Sequence, residues 1–161
     1  MTQSSKNERK LYSMAALMQQ TRQLAARYRQ TTGNTLPITT EIARYDVAKA
    51  LNLILNEDPS LGFDAYGQQE REGQRILIRG RVIFQNSQSS PKLGQIQLQG
   101  SWDRVMMVLF DDDYQAIEIY EADKATIIDT FDGKFGGKSK KKGIMSVAQF
   151  KVIGQCIWPA Q

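Results

Sequence analysis

The pattern of apolar and polar positions divides the chain into a helical first third and a strand-rich middle. Over residues 7–30, Leu11, Met14, Met18, Ala25 and Tyr28 fall on one helical stripe, with basic residues on the other faces. Gly33, followed by Pro37, ends that helix. Thr39 or Thr40 is placed to cap a second helix with Glu41 in its first turn, where a carboxylate suits the helix dipole. Ala43, Val47, Ala50, Leu51 and Ile54 form its expected buried face, and residues 56–60 read as a stop and turn.

The period then shortens from helix to strand. Residues 63–66 form a short strand, 68–73 a polar turn, and 75–84 (RILIRGRVIF) a longer strand with Gly80 inside it. Residues 86–92 are a Ser- and Gln-rich loop, and 96–98 fit either a short strand or a loop. Residues 105–110 and 116–120 flank 111–115 as a hairpin. Asp111, Asp112 and Asp113 then serve the turn, because they lack calcium-loop spacing. Residues 125–128 add an edge strand, and Ser146 caps a last helix running to about Cys156, with Trp158 packing back.

The order predicts an α/β (α+β) fold, with a mixed, mainly antiparallel sheet flanked by helices. Residues 1–161 form a single domain: an N-terminal helix (1–33), a core (34–132), a flexible basic loop (133–145) and a C-terminal helix (146–161). A length of 161 residues suits one domain with a substantial core. No apolar run approaches the roughly 20 residues that span a bilayer. The amino-terminal segment lacks the apolar block of a signal peptide, so a cytoplasmic protein with no membrane partner is expected.

Composition narrows the chemistry. The chain has no histidine and a single cysteine, Cys156. That excludes Ser-His-Asp and Cys-His nucleophilic catalysis, His-ligated zinc, a cysteine-rich zinc site and an intramolecular disulfide. Cys156, in an apolar segment, reads as a small buried hydrophobe. Catalysis, if present, must use carboxylates, Lys, Arg, Tyr or a hard metal on oxygen ligands. The net charge is +4, unevenly spread. Lys6, Arg9, Lys10, Arg22, Arg27 and Arg29 crowd the first thirty residues, Lys134, Lys138, Lys140, Lys141, Lys142 and Lys151 the last thirty, and an acidic stretch lies between. Basic ends suit a polyanionic partner or simply a solvated surface.

Three features stand together: Glu41 at a helix start, Asp64 in a short strand, and a following strand with Leu77, Arg79 and Arg81 on one face. Carboxylates that hold a divalent cation, with a nearby side-chain cation on the phosphate, are the equipment of phosphodiester hydrolysis. The stretches TTEIARYDVAKAL (39–51), LGFDAYG (61–67) and ILIRGRVI (76–83), continued through 101–122 and 138–158, resemble the PD-(D/E)xK nuclease superfamily. They are most similar to a small bacterial branch of that restriction-endonuclease-like fold, with its TGE turn, GYDA strand and QIKGR strand. The resemblance implies a DNA-directed nuclease in a defence, repair or mobile-element setting. Asp64, Glu41 and Arg79 would then be catalytic, and Glu41, Asp64 and the Ile78 carbonyl would hold Mg²⁺ or Mn²⁺. Arg81, Lys138, Lys140, Lys141 and Lys142 would bind the nucleic acid. The chain departs from the pattern where an acid or glutamine and a lysine are expected, because Leu77 and Arg79 stand there. Leucine cannot bind a metal, and arginine keeps its proton at any physiological pH. Three readings therefore stay open: a metal-dependent nuclease, a catalytically inactive nuclease-fold subunit that binds nucleic acid, and a protein-assembly module acting as a homodimer or with a partner protein through the first helix.

Overall fold

A computed structural model of the chain describes residues 3–85, 91–133 and 143–159, with side chains described from residue 13 onward. At its centre lie β3 (Arg75–Val82) and β4 (Arg104–Phe110), paired in parallel from Ile76↔Arg104 to Val82↔Phe110. The flanking strands β1 (Ile54–Leu55), β2 (Ala65–Tyr66), β5 (Ala116–Asp123) and β6 (Gln155–Trp158) pair antiparallel with their neighbours. The six strands lie in sequence order across one open, mixed, mainly antiparallel sheet. β4 (RVMMVLF) is buried from Val105 to Phe110, so its apolar residues run without alternation, as a strand covered on both faces requires.

Each face of the sheet carries its own core. On the first, α1 (Gln3–Thr32) and α2 (Thr39–Leu51) bring Ala25, Ile42, Ala43 and Val47 against Ile76, Ile78, Met106, Val108 and Phe110. On the second, Leu77, Val105, Met107 and Leu109 meet Leu93, Ile96 and Trp102. Ile127 and Phe131 of α3 (Lys124–Gly133) and Val147 and Phe150 of α4 (Val147–Ile153) complete that layer. The first face closes most tightly at Gly80. A Cβ there would lie 2.7 Å from the Ala43 methyl and 3.0 Å from the Phe110 ring, so α2 rests directly on the β3 backbone.

Helix α1 is anchored by a polar side chain. Arg22 is 7 % exposed; its guanidinium pairs with Asp46 of α2 and donates to the Tyr114 carbonyl (2.7 Å) at the β4–β5 turn. Met18, Ala25 and Ala26 share that inward face. Met18 and Ala25 of the expected stripe thus face inward, whereas Met14 and Tyr28 are exposed, as are Leu17 and Leu24. The strongest inward contact comes from an arginine, which an apolar count passes over.

Other local expectations shift for similar reasons. Helix α2 has Ile38 at its N-cap with no side-chain cap, so neither threonine caps it. It stops at Asn52, which adopts a left-handed conformation (φ 55°) and donates its N–H to the Ala48 carbonyl. Ala50 is therefore exposed and Ile54 belongs to β1. Residues 125–128 are helical, because Asp123 accepts the Thr126 N–H (2.8 Å) and Ile127 and Phe131, four apart, face the core. Ser146 does cap α4, reciprocally with Gln149, but the helix ends at Ile153. Cys156 lies half-buried in β6, opposite Tyr120. In the hairpin turn, Asp111 accepts the N–H groups of Asp113 (2.9 Å) and Gln115 (3.0 Å), which is the turn role expected of it.

Asp103, just before β4, accepts the backbone N–H (2.7 Å) and Nε (3.0 Å) of Arg75 and so ties the starts of β3 and β4 together. These bonds hold its carboxyl below the ordinary carboxylate range. A depressed folded pKa stabilises the fold above the unfolded value and loses that contribution as pH falls through the folded one. Urea unfolding of Asp103→Asn should therefore show a smaller stability loss below about pH 4 than the parent chain. Gly80→Val should lower unfolding free energy by about 1–3 kcal/mol, the usual cost of overpacking, and the same titrations at neutral pH measure it.

Candidate functional site

The loop between β1 and β2 positions Asp64. Asn56, buried, holds that loop: its amide donates to the Asp58 and Phe63 carbonyls (both 2.9 Å), and its own N–H reaches the Asp64 carbonyl (2.8 Å). Asp58 accepts the Ser60 N–H and hydroxyl, which hold its carboxyl below the ordinary range and close a 3-10 turn at Pro59–Leu61. Asp64 then enters the sheet. Its N–H donates to Ile76 and its carboxylate accepts the Ile78 N–H, each at 2.8 Å. The carboxylate thus extends the ladder past the end of β2, and the side chain is 15 % exposed.

Two guanidinium groups face this carboxylate. Arg44 of α2 lies 3.6 Å away and also donates to the Asn56 carbonyl (2.8 Å). Arg79 of β3 lies 3.9 Å away and donates to the Ile78 carbonyl (3.2 Å) and the Gln95 carbonyl (3.2 Å). Glu41 is exposed in the first turn of α2, and the α2 side chain that reaches Asp64 is Arg44, one turn further on. Leu77 is buried in the second core.

This environment does not suit a divalent cation. One carboxylate attracts it, while two guanidinium groups within 4 Å of that carboxylate oppose it. The two guanidinium groups already offset the carboxylate's charge, and a cation bound to it would sit beside both of them. The Ile78 carbonyl already accepts from Arg79. Among the described residues, no group of three or more His, Cys, Asp or Glu side chains is arranged to hold a metal ion. Asp64, Arg79 and Ile78 are brought together, but as an arginine-neutralised carboxylate rather than as a donor set for Mg²⁺ or Mn²⁺.

The same geometry favours an anion. Arg79 and Arg81 project from one face of β3, as strand alternation predicts. They flank Gly94, where a Cβ would lie 3.6 Å from Arg79 Nε and 3.4 Å from Arg81 Nη2. Arg81 is bonded to the Lys92 carbonyl (2.8 Å), and among the described residues no carboxylate pairs with it. Burial, and then the charge of Arg79, push its guanidinium pKa down. Beside Arg79 opens a cleft of about 500 Å³, with Leu77 lining it and Ser60, Leu61, Gln95, Gln97 and Gln99 around it. Lys138, Lys140, Lys141 and Lys142 lie outside the described residues.

Sequence reading missed Arg44 and the glutamine row. The first was legible only as one of many helix arginines. The second carried a signal, since QIQLQ (95–99) alternates polar and apolar with a period of two. No protein-family model matches the chain, and no curated protein is significantly similar to it.

Asp64→Ala removes an acceptor from the Ile78 N–H and leaves Arg44 and Arg79 uncompensated. It should cost about 1–3 kcal/mol of stability in urea unfolding, whereas Asp64→Asn, which keeps the acceptor, should cost less.

Proposed function

We propose that this chain is a nuclease-like domain that binds DNA without hydrolysing it. The observation that carries the reading is the neutralisation of Asp64 by Arg44 and Arg79 beside a buried Leu77. A hydrolytic site of the kind the resemblance implies needs a cation there and a side chain able to give up a proton. Arginine meets neither need, but it grips phosphate in a bidentate fashion. Arg79 and Arg81 then contact the DNA backbone, Arg44 and Asp64 position Arg79, and Lys138, Lys140, Lys141 and Lys142 add further phosphate contacts. Such a protein acts as a subunit of a bacterial defence, repair or mobile-element system in the cytoplasm. No described helix is long and apolar enough to cross a membrane. A second role, assembly through α1 with another copy or a partner protein, is favoured by the exposure of Met14, Leu17 and Leu24 along that helix.

Incubation with supercoiled and single-stranded DNA in Mg²⁺ and in Mn²⁺ should give no cleavage but a gel shift that weakens with salt. Arg81→Ala should lower the slope of log affinity against log salt by about 1, the loss of one phosphate contact. Metal-dependent cleavage abolished by Asp64→Ala would overturn this reading in favour of an active nuclease.

A further inference from the structure

The cleft beside Arg79 has features that backbone binding alone does not need. Gln95, Gln97 and Gln99 are exposed, and all three line it. The segment that carries them is held in place by its backbone. The Ile96 N–H donates to Gly143 (2.9 Å), Trp102 Nε1 donates to the Gln97 carbonyl (2.7 Å), and the Leu93 N–H donates to Met145 (2.9 Å). Gly143 has φ +61°, and a Cβ on it would collide with the Ile96 carbonyl, so the backbone before α4 meets this segment at van der Waals limit. Apolar surface comes from Leu77 and from Leu61, which is 43 % exposed at the mouth. Guanidinium donors stand next to this surface, with Arg79 in the cleft and Arg81 beside Gly94.

We propose that this cleft takes one unstacked nucleotide of a single DNA strand. Its base lies between Leu77 and Leu61 with its polar edge on the Gln95–Gln97–Gln99 amides, and its phosphate lies on Arg79 and Arg81. The assignment rests on the DNA-binding reading above and deepens it. A volume of about 500 Å³ falls within the roughly 300–1,000 Å³ range of small-ligand sites. Primary amides carry both donors and acceptors and match the edges of unpaired bases. A base still stacked and paired in a duplex cannot enter such a cleft, so the site selects single strands. Leu77 thereby gains a role: where a polar side chain would hold metal, it supplies an apolar floor for a base.

The test is fluorescence anisotropy on the full chain, with a labelled single-stranded DNA oligonucleotide and a hairpin duplex of matched length. The parent should bind the single strand more tightly. Substituting Gln95, Gln97 and Gln99 together by Ala should weaken single-strand binding about tenfold or more and leave duplex binding unchanged. The three side chains are exposed and the structural bonds of the segment are made by its backbone, so melting curves should match the parent. If that variant does not fold, the single substitution Gln97→Ala should give the same selective loss to a smaller degree. Equal binding of both DNA forms, insensitive to the glutamine substitutions, would overturn the nucleotide cleft and leave the DNA-binding reading standing. No binding of either form would overturn both.

Discussion

The parallel pairing of β3 with β4 constrains everything around it. Two consecutive strands cannot run side by side in the same direction without a long crossover, and here residues 83–103 make it. Its residues 91–103 lie over the second face, where Leu93, Ile96 and Trp102 pack on Leu77, Val105 and Met107. Covering this face buries β4 on both sides. It also carries the Gln95–Gln99 row to the edge of Arg79 and Arg81. A simple hairpin between β3 and β4 would have left both arginines on an open sheet with no cleft beside them.

Around Asp64 the balance of charge decides the chemistry. The carboxylate is fixed by the Ile78 N–H, so it cannot swing away, and Arg44 and Arg79 approach from different elements. A carboxylate paired with two arginines is a device for orienting guanidinium groups. Arg79 has donors left after its bonds to two carbonyls, and Arg81 brings a second cation with no carboxylate beside it among the described residues. Two like charges held side by side repel, and a guanidinium fork matches the oxygens of a carboxylate or a phosphate.

Much of the fold was legible along the chain because long periodic segments leave little choice. The extent of α1, the β3 period, the hairpin around Asp111 and the Ser146 cap all appear where local patterns place them. The failures share a cause. Residues 125–128 are apolar and short, and such a run fits a strand as well as a helix until a cap such as Asp123 and a core facing Ile127 and Phe131 decide. The inward face of α1 turns on Arg22, whose burial is compensated by Asp46 and the Tyr114 carbonyl, 24 and 92 residues away.

By itself, then, the sequence determined which chemistry was possible: no histidine, one cysteine, Asp64 ahead of a strand, and Leu77, Arg79 and Arg81 along that strand. It also placed Leu77, Arg79 and Arg81 on one face, since alternation is a local property of a strand. Only the tertiary structure decided what Asp64 faces. Arg44 comes from α2 and Arg79 from β3, and each approaches Asp64 through a packed core rather than along the chain. The glutamine row reaches Arg79 for the same reason. Charge neutralisation and cleft formation depend on distances between elements, and those are set by packing at Gly80 and by the parallel crossover, neither of which a local period records.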